Sequence, residues 1–296
     1  MTRALVLSGG GPVGIAWEFG IAAGLEEEGV RLADADFIIG TSAGSFVGAQ
    51  LASGRTAKSL AEAIIAQSSA PSAAPSATPA TRSGVSGPPN LTPLMELMAR
   101  AADPSQSPEA LRAEIGAFAL NAETMSEEAF IRSMGRIAEE WPAKRFACTA
   151  VDALDGRFQV WHNDSGVPLA SAVSSSCAVP GVYPPVTING RRYIDGGMRS
   201  STNADLARGY DHVLIVSVRS ASAASGPMAE LSQRRLENEI NAIREAGGVV
   251  EIIEPDDTSS TTLGMNLMDA RNRGVAVETG LRQGRLEAEW LRPFWV

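Results

Sequence analysis

The sequence is poor in several things that would otherwise have directed its chemistry. Its 296 residues include only two histidines, His162 and His212, and two cysteines, Cys148 and Cys177. Two cysteines cannot make a disulfide framework, fit a reducing compartment, and neither stands beside a metal-ligand pattern. Basic residues are in deficit, 25 Lys and Arg against 34 Asp and Glu, for a net charge of -9. That balance argues against the clustered positive surface needed to hold nucleic acid or an anionic membrane. Long hydrophobic runs are missing as well. The first apolar stretch, Ala4 to Leu7, is far too short for a signal peptide or a membrane span and leads at once into glycines. A cytoplasmic chain with no secretory or transmembrane segment is the expectation.

What is present is apolar bulk in an α/β pattern. At 44% hydrophobic content the chain can bury a large core, and α/β proteins of this size often form one domain, so 1–296 is expected to be a single domain. Strands are expected at 4–8, 37–39, 146–151, 157–162, 212–218 and 249–253, with helices between them. The first helix starts at about Pro12 and closes at Gly29, the second stops near Gly54, and a further amphipathic piece reaches Ile65. Helical pieces are expected over 94–101, 108–119 and 126–140, the last with Ser126 as its N-cap. A helix carrying Leu231, Leu236, Ile240 and Ile243 ends at Gly247 and Gly248, and the chain closes with a helix through Leu286 and Trp290. Asn189 and Gly190, between two β-prone arms, are the preferred pair for a type I′ hairpin turn. Residues 68–93, almost all Ser, Ala and Pro, cannot recover the entropy of ordering and are expected to form a flexible excursion.

Three motifs carry chemistry. In GTSAG, 40–44, which follows the apolar run Phe37 to Ile39, the glycines Gly40 and Gly44 allow a tight strand-to-helix turn that would present Ser42 as a nucleophile. In SGGGPVG, 8–14, consecutive glycines sit between a strand and a helix, where the backbone amides of Gly9, Gly10 and Gly11 can face an anion at a positive helix end. The same glycines satisfy GxGxxG. A dinucleotide fold, however, wants an acidic residue ending the second strand, and here that strand runs into the serine turn, while a phosphate loop fails for want of a Gly-Lys-Ser/Thr. In YIDGG, 193–197, Asp195 ends a hairpin arm.

A Ser-His-Asp triad would have to recruit one of the two histidines. His212 leads into a buried strand and His162 lies in a polar loop, so a carboxylate acting directly on the serine is favoured, with Asp195 as the base. A free Asp with a pKa of about 3.9 is a poor base at neutral pH, so burial beside Ser42 would have to raise its basicity. SSSCAVPGVYPPV, 174–186, reads by itself as a tight connector, Asn203 as a helix N-cap, and Trp17, Phe19 and Ile21 as core. Cys148 and Cys177 read as small buried residues, and Glu26, Glu27 and Glu28 as a solvated helix end.

Taken in order, GGGPVG, GTSAG, SSSCAVPGVYPP and DGG resemble the patatin-like phospholipases, over roughly 4–54 and 146–218. The resemblance implies a three-layer α/β/α hydrolase fold with a mainly parallel central sheet, a Ser42–Asp195 dyad, an oxyanion held by the Gly10 and Gly11 amides, and neither metal nor cofactor. It assigns Gly196 and Gly197 a turn-forming role and the Pro-rich segment structural support. The family's glycine loop often carries Lys or Arg where this chain has Val13. The substrate implied is a phospholipid, a lysophospholipid or another acyl ester, met at a membrane or micelle surface transiently through exposed apolar loops. An acyltransferase using the same dyad and a silent lipid-binding protein are the alternatives.

Overall fold

The computed structural model describes residues 1–69, 91–101, 103, 105–135, 137–138, 140–218 and 226–296. Eight strands make one sheet: β1 (Arg3–Leu7), β2 (Phe37–Gly40), β3 (Arg145–Asp152), β4 (Phe158–His162), β5 (Val186–Ile188), β6 (Arg191–Asp195), β7 (His212–Val216) and β8 (Val249–Ile253). β3, β2, β1, β7 and β8 run parallel in that order, while β4 and the β5–β6 hairpin add antiparallel pairings. Parallel strands covered on both faces read as unbroken apolar runs, and β1 is such a run. Its Leu5 and Leu7 enter one core layer while Ala4 and Val6 enter the other, as the two-residue period of a strand requires.

Among the described residues ten helices cover the sheet: α1 (Gly11–Glu27), α2 (Ala43–Ala52), α3 (Ala57–Ser69), α4 (Thr92–Arg100), α5 (Pro108–Asn121), α6 (Glu127–Ser133), α7 (Leu169–Ser176), α8 (Pro227–Glu245), α9 (Asp257–Leu263) and α10 (Arg273–Trp295). On one face Trp17 and Ile21 of α1, Val47 of α2, Val173 of α7 and Val277 of α10 pack with Leu5, Leu7 and Ile38. On the other, Ile240 and Ile243 of α8 meet Val6, Ile39 and Ile215. A third cluster seats Leu94 of α4 and Ile115 of α5 on Val151 and Ile194. The result is an α/β/α arrangement around a mixed, mostly parallel sheet. Apart from the buried Glu18 and its last turn, α1 is apolar all round because it lies inside this assembly, under α2, α3 and α10.

The contact between α1 and α10 is backbone against backbone. A Cβ on Gly20 would lie 2.3 Å from the Val277 carbonyl oxygen, and one on Gly280 would lie 2.4 Å from that of Trp17. Gly24 and Gly284 repeat the contact one turn on. Such an approach needs small residues at four-residue spacing on both helices, a pairing the strand-and-helix pattern of the sequence does not bring out.

Several boundaries differ from expectation. The helix expected over 126–140 ends as α6 at Ser133, because Gly135 takes φ 73° and closes it. Ser126 does cap it, accepting the Ala129 amide at 3.2 Å. The segment read as a connector before the Pro-rich turn begins as α7, and α9 was not expected. Of the proposed excursion over 68–93, the first two residues finish α3 and 92–93 open α4; residues 70–90 lie outside the described residues. No helix among the described residues is long and apolar enough to cross a membrane.

One feature of the sheet positions Ser42 and Asp195. β2 pairs with β3 only as far as Gly40 opposite Cys148, and then the chain turns off the sheet. The same edge of β3 is taken over by β6, whose last residue, Asp195, lies opposite Ala150. β4, pairing with 147–151, occupies the other edge throughout. The end of β2 and the end of β6 therefore meet head on along one edge, although they are separated by about 150 residues of sequence.

Candidate active site

Ser42 stands where β2 leaves the sheet, with φ 52° and ψ -116°. A non-glycine residue in that region carries about 1–3 kcal/mol of strain and persists only where its surroundings over-determine it. Here the surroundings are specific. A Cβ on Gly40 would lie 2.4 Å from the Gly44 carbonyl oxygen, and one on Gly44 would lie 2.2 Å from the carbonyl oxygen of Leu7 in β1. Gly44 is thus small because the first turn of α2 is pressed against the neighbouring strand.

The backbone of Ser42 is clamped from α7. Its amide donates to Ser176 Oγ at 3.0 Å, and its carbonyl accepts from Ser45 Oγ at 2.6 Å and from Cys177 Sγ at 3.1 Å. The Ser-Cys pair that reads as connector in the sequence is therefore the clamp that holds the turn. Burial pushes the Cys177 thiol up, so it remains a protonated donor.

Asp195 is 2% exposed and follows β6 into a short 3-10 turn. Its Oδ1 accepts the Gly197 amide at 2.7 Å, and its Oδ2 is buried without a well-formed hydrogen bond. Burial raises its pKa from 3.8 to about 7, opposed by the Ser42 hydroxyl and then by the Gly197 amide. The Ser42 hydroxyl thus acts on the carboxyl, although no well-formed hydrogen bond joins the two. Gly197 does more than turn the chain, since its amide orients the carboxyl. Gly196 does too: a Cβ there would lie 2.2 Å from Thr149 Oγ1 on β3.

The glycine loop divides by role. Gly9 donates its amide to the Ser201 carbonyl at 2.8 Å, which corrects the expectation that it faces an anion. Its lack of a side chain leaves room beside Ser42, because a Cβ on Gly9 would meet Ser42 Cβ at 3.4 Å. The amides of Gly10 and Gly11 have no acceptor among the described residues, and they stand at the N-terminus of α1 where the helix dipole is positive. Val13 is fully buried, and its amide donates to the Leu267 carbonyl at 3.2 Å, so the segment before α10 braces this loop.

Beneath the serine and the carboxyl lies a polar brace that sequence reading missed. Thr41 Oγ1 and Thr149 Oγ1 share a hydrogen bond of 2.9 Å, and Asn203 Nδ2 donates to Thr41 Oγ1 at 3.0 Å and to the Ser200 carbonyl at 2.7 Å. Asn203 was expected to cap a helix. Its side chain makes no cap bond and instead ties the residue before Ser42 to the strand beside Asp195. A polar residue with φ 51° in a buried loop is the one local sign of such a role, and it is visible only in three dimensions.

The histidines lie elsewhere. His212 starts β7 at the end of the sheet opposite Ser42, about 13 Å away along the strands, and stacks on Phe294. His162 sits on the outer strand β4, half exposed, and accepts the Asp164 amide at 3.3 Å. Trp17, Phe19, Ile21, Cys148 and Cys177 are all buried, as expected.

With this geometry in view, residues 5–208 match the patatin-like phospholipase family. The chain belongs to that family. The match spans the glycine loop, the serine turn and the Asp-Gly-Gly turn, and includes the whole of the brace that holds them. Among solved structures, the patatin-like chain is similar to VipD from Legionella pneumophila, at 16% identity over 98% of this chain and 67% of VipD, with a TM-score of 0.47. It is also similar to the type III effector protein ExoU, at 21% identity over 96% of this chain and 53% of ExoU, with a TM-score of 0.34. For ExoU in its complex with SpcU from Pseudomonas aeruginosa the values are 17%, 100% and 52%, with a TM-score of 0.40. The chain spans about two thirds of VipD and about half of ExoU. No curated protein matches it.

Proposed function

We propose that this patatin-like chain is a lipid acyl hydrolase that cleaves carboxylic esters through an acyl-enzyme on Ser42, with Asp195 as the base. The observation that carries this reading is the meeting of a strained serine turn with a buried carboxyl whose pKa is about 7. A base works best when its pKa lies near the operating pH, and burial gives Asp195 that property without a histidine.

In this reading the Asp195 carboxylate takes the Ser42 hydroxyl proton as Oγ bonds to the ester carbonyl carbon. The carbonyl oxygen becomes an oxyanion and receives the Gly10 and Gly11 amides. Collapse of the tetrahedral species expels the alcohol, which leaves with the proton held on Asp195. Asp195, ionised again, takes a proton from water as the water oxygen attacks the acyl carbon. The second collapse returns that proton to Ser42 Oγ and releases the carboxylic acid. Losing one amide donor to the oxyanion in such a site costs about 3 kcal/mol of transition-state stabilisation. The clamp of Ser176 and Cys177 and the Thr41, Thr149 and Asn203 brace keep the two reacting side chains in register, which is what proximity catalysis requires.

A fluorophosphonate probe tests the assignment. The wild-type protein is expected to be labelled, with Ser42→Ala unlabelled and Asp195→Asn labelled much more slowly. A folded wild-type protein that never reacts with the probe, and hydrolyses no ester across a panel of acyl lengths, overturns the proposal.

A further inference from the structure

A cleft lies on the side of the sheet away from Ser42, between α4, α5 and α8. Ile194 packs into the layer below this cleft, and strand alternation sends the neighbouring Asp195 to the opposite face. The cleft is therefore separate from the serine and carboxyl. Its walls include Met98, Leu111, Ile115, Met198 and Met228, and two cations, Arg112 and Arg235, line it as well. Methionine walls adapt to irregular apolar chains at little cost.

The arginines of this region are unevenly paired. Arg112, Arg199 and Arg235 are within electrostatic reach of one another. Arg199 is satisfied by Asp205, with contacts of 2.9 and 2.6 Å. Arg112 has a side chain only 13% exposed; its Nε donates to the Gly156 carbonyl at 2.7 Å, and the carboxylate paired with it, Glu109, stands 4.0 Å away in solvent. Arg235 forms no ion pair among the described residues. The carboxylate that acts on it, Glu239, is already bonded to Thr202 Oγ1 at 2.6 Å and to the Ala204 amide at 2.9 Å. Burial disfavours the charged form of Arg112 and Arg235 alike, yet a guanidinium does not deprotonate in a protein, so an anion seated between them would offset the cost.

We propose that this cleft binds an amphipathic anion, an apolar chain ending in a carboxylate or a phosphate, with the charged end against Arg235 and Arg112 and the chain among the methionines. The inference stands whether or not Ser42 is a nucleophile.

Methyl-labelled methionine gives a site-specific readout, because three of the nine methionines line the cleft. Titrating the full chain with dodecanoate or dodecyl phosphate, below micelle formation, is expected to shift the Met98, Met198 and Met228 methyls saturably. The tighter of the two identifies the head group. Arg235→Gln is expected to weaken binding roughly tenfold or more, the size of a lost charged hydrogen bond, while Arg235→Lys retains most of it. Arg235 holds no ion pair or hydrogen bond among the described residues, so both variants should keep the wild-type spectrum of the remaining methyls. No saturable shift at the three methyls, equal binding of neutral dodecanol, or unchanged affinity in a folded Arg235→Gln protein overturns the proposal.

Discussion

Asp195→Asn separates the contribution of this carboxyl to catalysis from its contribution to stability, and the two carry opposite signs. The folded pKa of Asp195 is about 7 against an ordinary 3.8. Below 3.8 both the folded and the unfolded chain hold the proton, and ionisation costs the fold nothing. From there to about 7 the unfolded chain gives up its proton while the folded chain keeps it, so the wild type loses stability at about 1.4 kcal/mol per pH unit. Above that range the loss is constant at about 4 kcal/mol, a large share of the 5–15 kcal/mol that holds a typical domain together. Asparagine has the same shape, can still accept the Gly197 amide, and does not ionise. Urea denaturation of both proteins from pH 5 to pH 8 should therefore show Asp195→Asn gaining about 3 kcal/mol relative to wild type, with the difference levelling off past pH 7. Hydrolysis of a soluble ester by the wild type should rise about tenfold per pH unit on the acid side and level off around the same pH, because only the ionised carboxyl is a base. Stability curves that run parallel across this range would refute the argument, since they would mean the folded carboxyl ionises as an ordinary Asp does.

Three further substitutions probe the support around Ser42 and the helix contact. Ser176→Ala leaves the buried Ser42 amide without its acceptor and is expected to cost about 1–3 kcal/mol in urea denaturation, with turnover falling at least tenfold; Ser174→Ala, whose buried hydroxyl has no partner among the described residues, should leave turnover unchanged and cost no stability. Ser42→Gly removes the side chain from a backbone at φ 52° and ψ -116°, so thermal unfolding should show a gain of about 1–2 kcal/mol while probe labelling disappears. Gly280→Ala puts a methyl 2.4 Å from the Trp17 carbonyl oxygen and is expected to cost more than about 2 kcal/mol, well beyond Gly29→Ala, where φ is 80° but nothing stands within 4 Å.

Much of the fold was legible because its signals are local. The strand of 4–7 announced itself as an apolar run, and Asn189-Gly190 specified a hairpin that forms with both residues at positive φ. Gly40 and Gly44 marked the serine turn through backbone sterics that hold wherever such a turn is built. The losses have a common cause. α7 was hidden because Ala, Ser and Val at a helix buried on most sides lack the polar face that periodicity detects. Asn203 was misread as a cap because an Asn before a helical turn has the same sequence signature whether its side chain caps or braces. Gly9 was grouped with Gly10 and Gly11 because nothing local distinguishes an amide facing Ser201 from one left open.

By itself the sequence determined the kinds of turn this chain makes, the order of its strands and of most of its helices, and the small set of candidates for nucleophile, base and anion donor. Those properties follow from backbone conformation and side-chain chemistry within a few residues. Tertiary structure alone decided that β6 takes over the edge of β3 where β2 ends, and so that Ser42 and Asp195 meet. It also decided that the Asp195 carboxyl is buried, with its pKa raised to about 7. Desolvation depends on everything packed around a group, and the residues that bury this carboxyl come from β3, α7 and the serine turn, which are far apart along the chain.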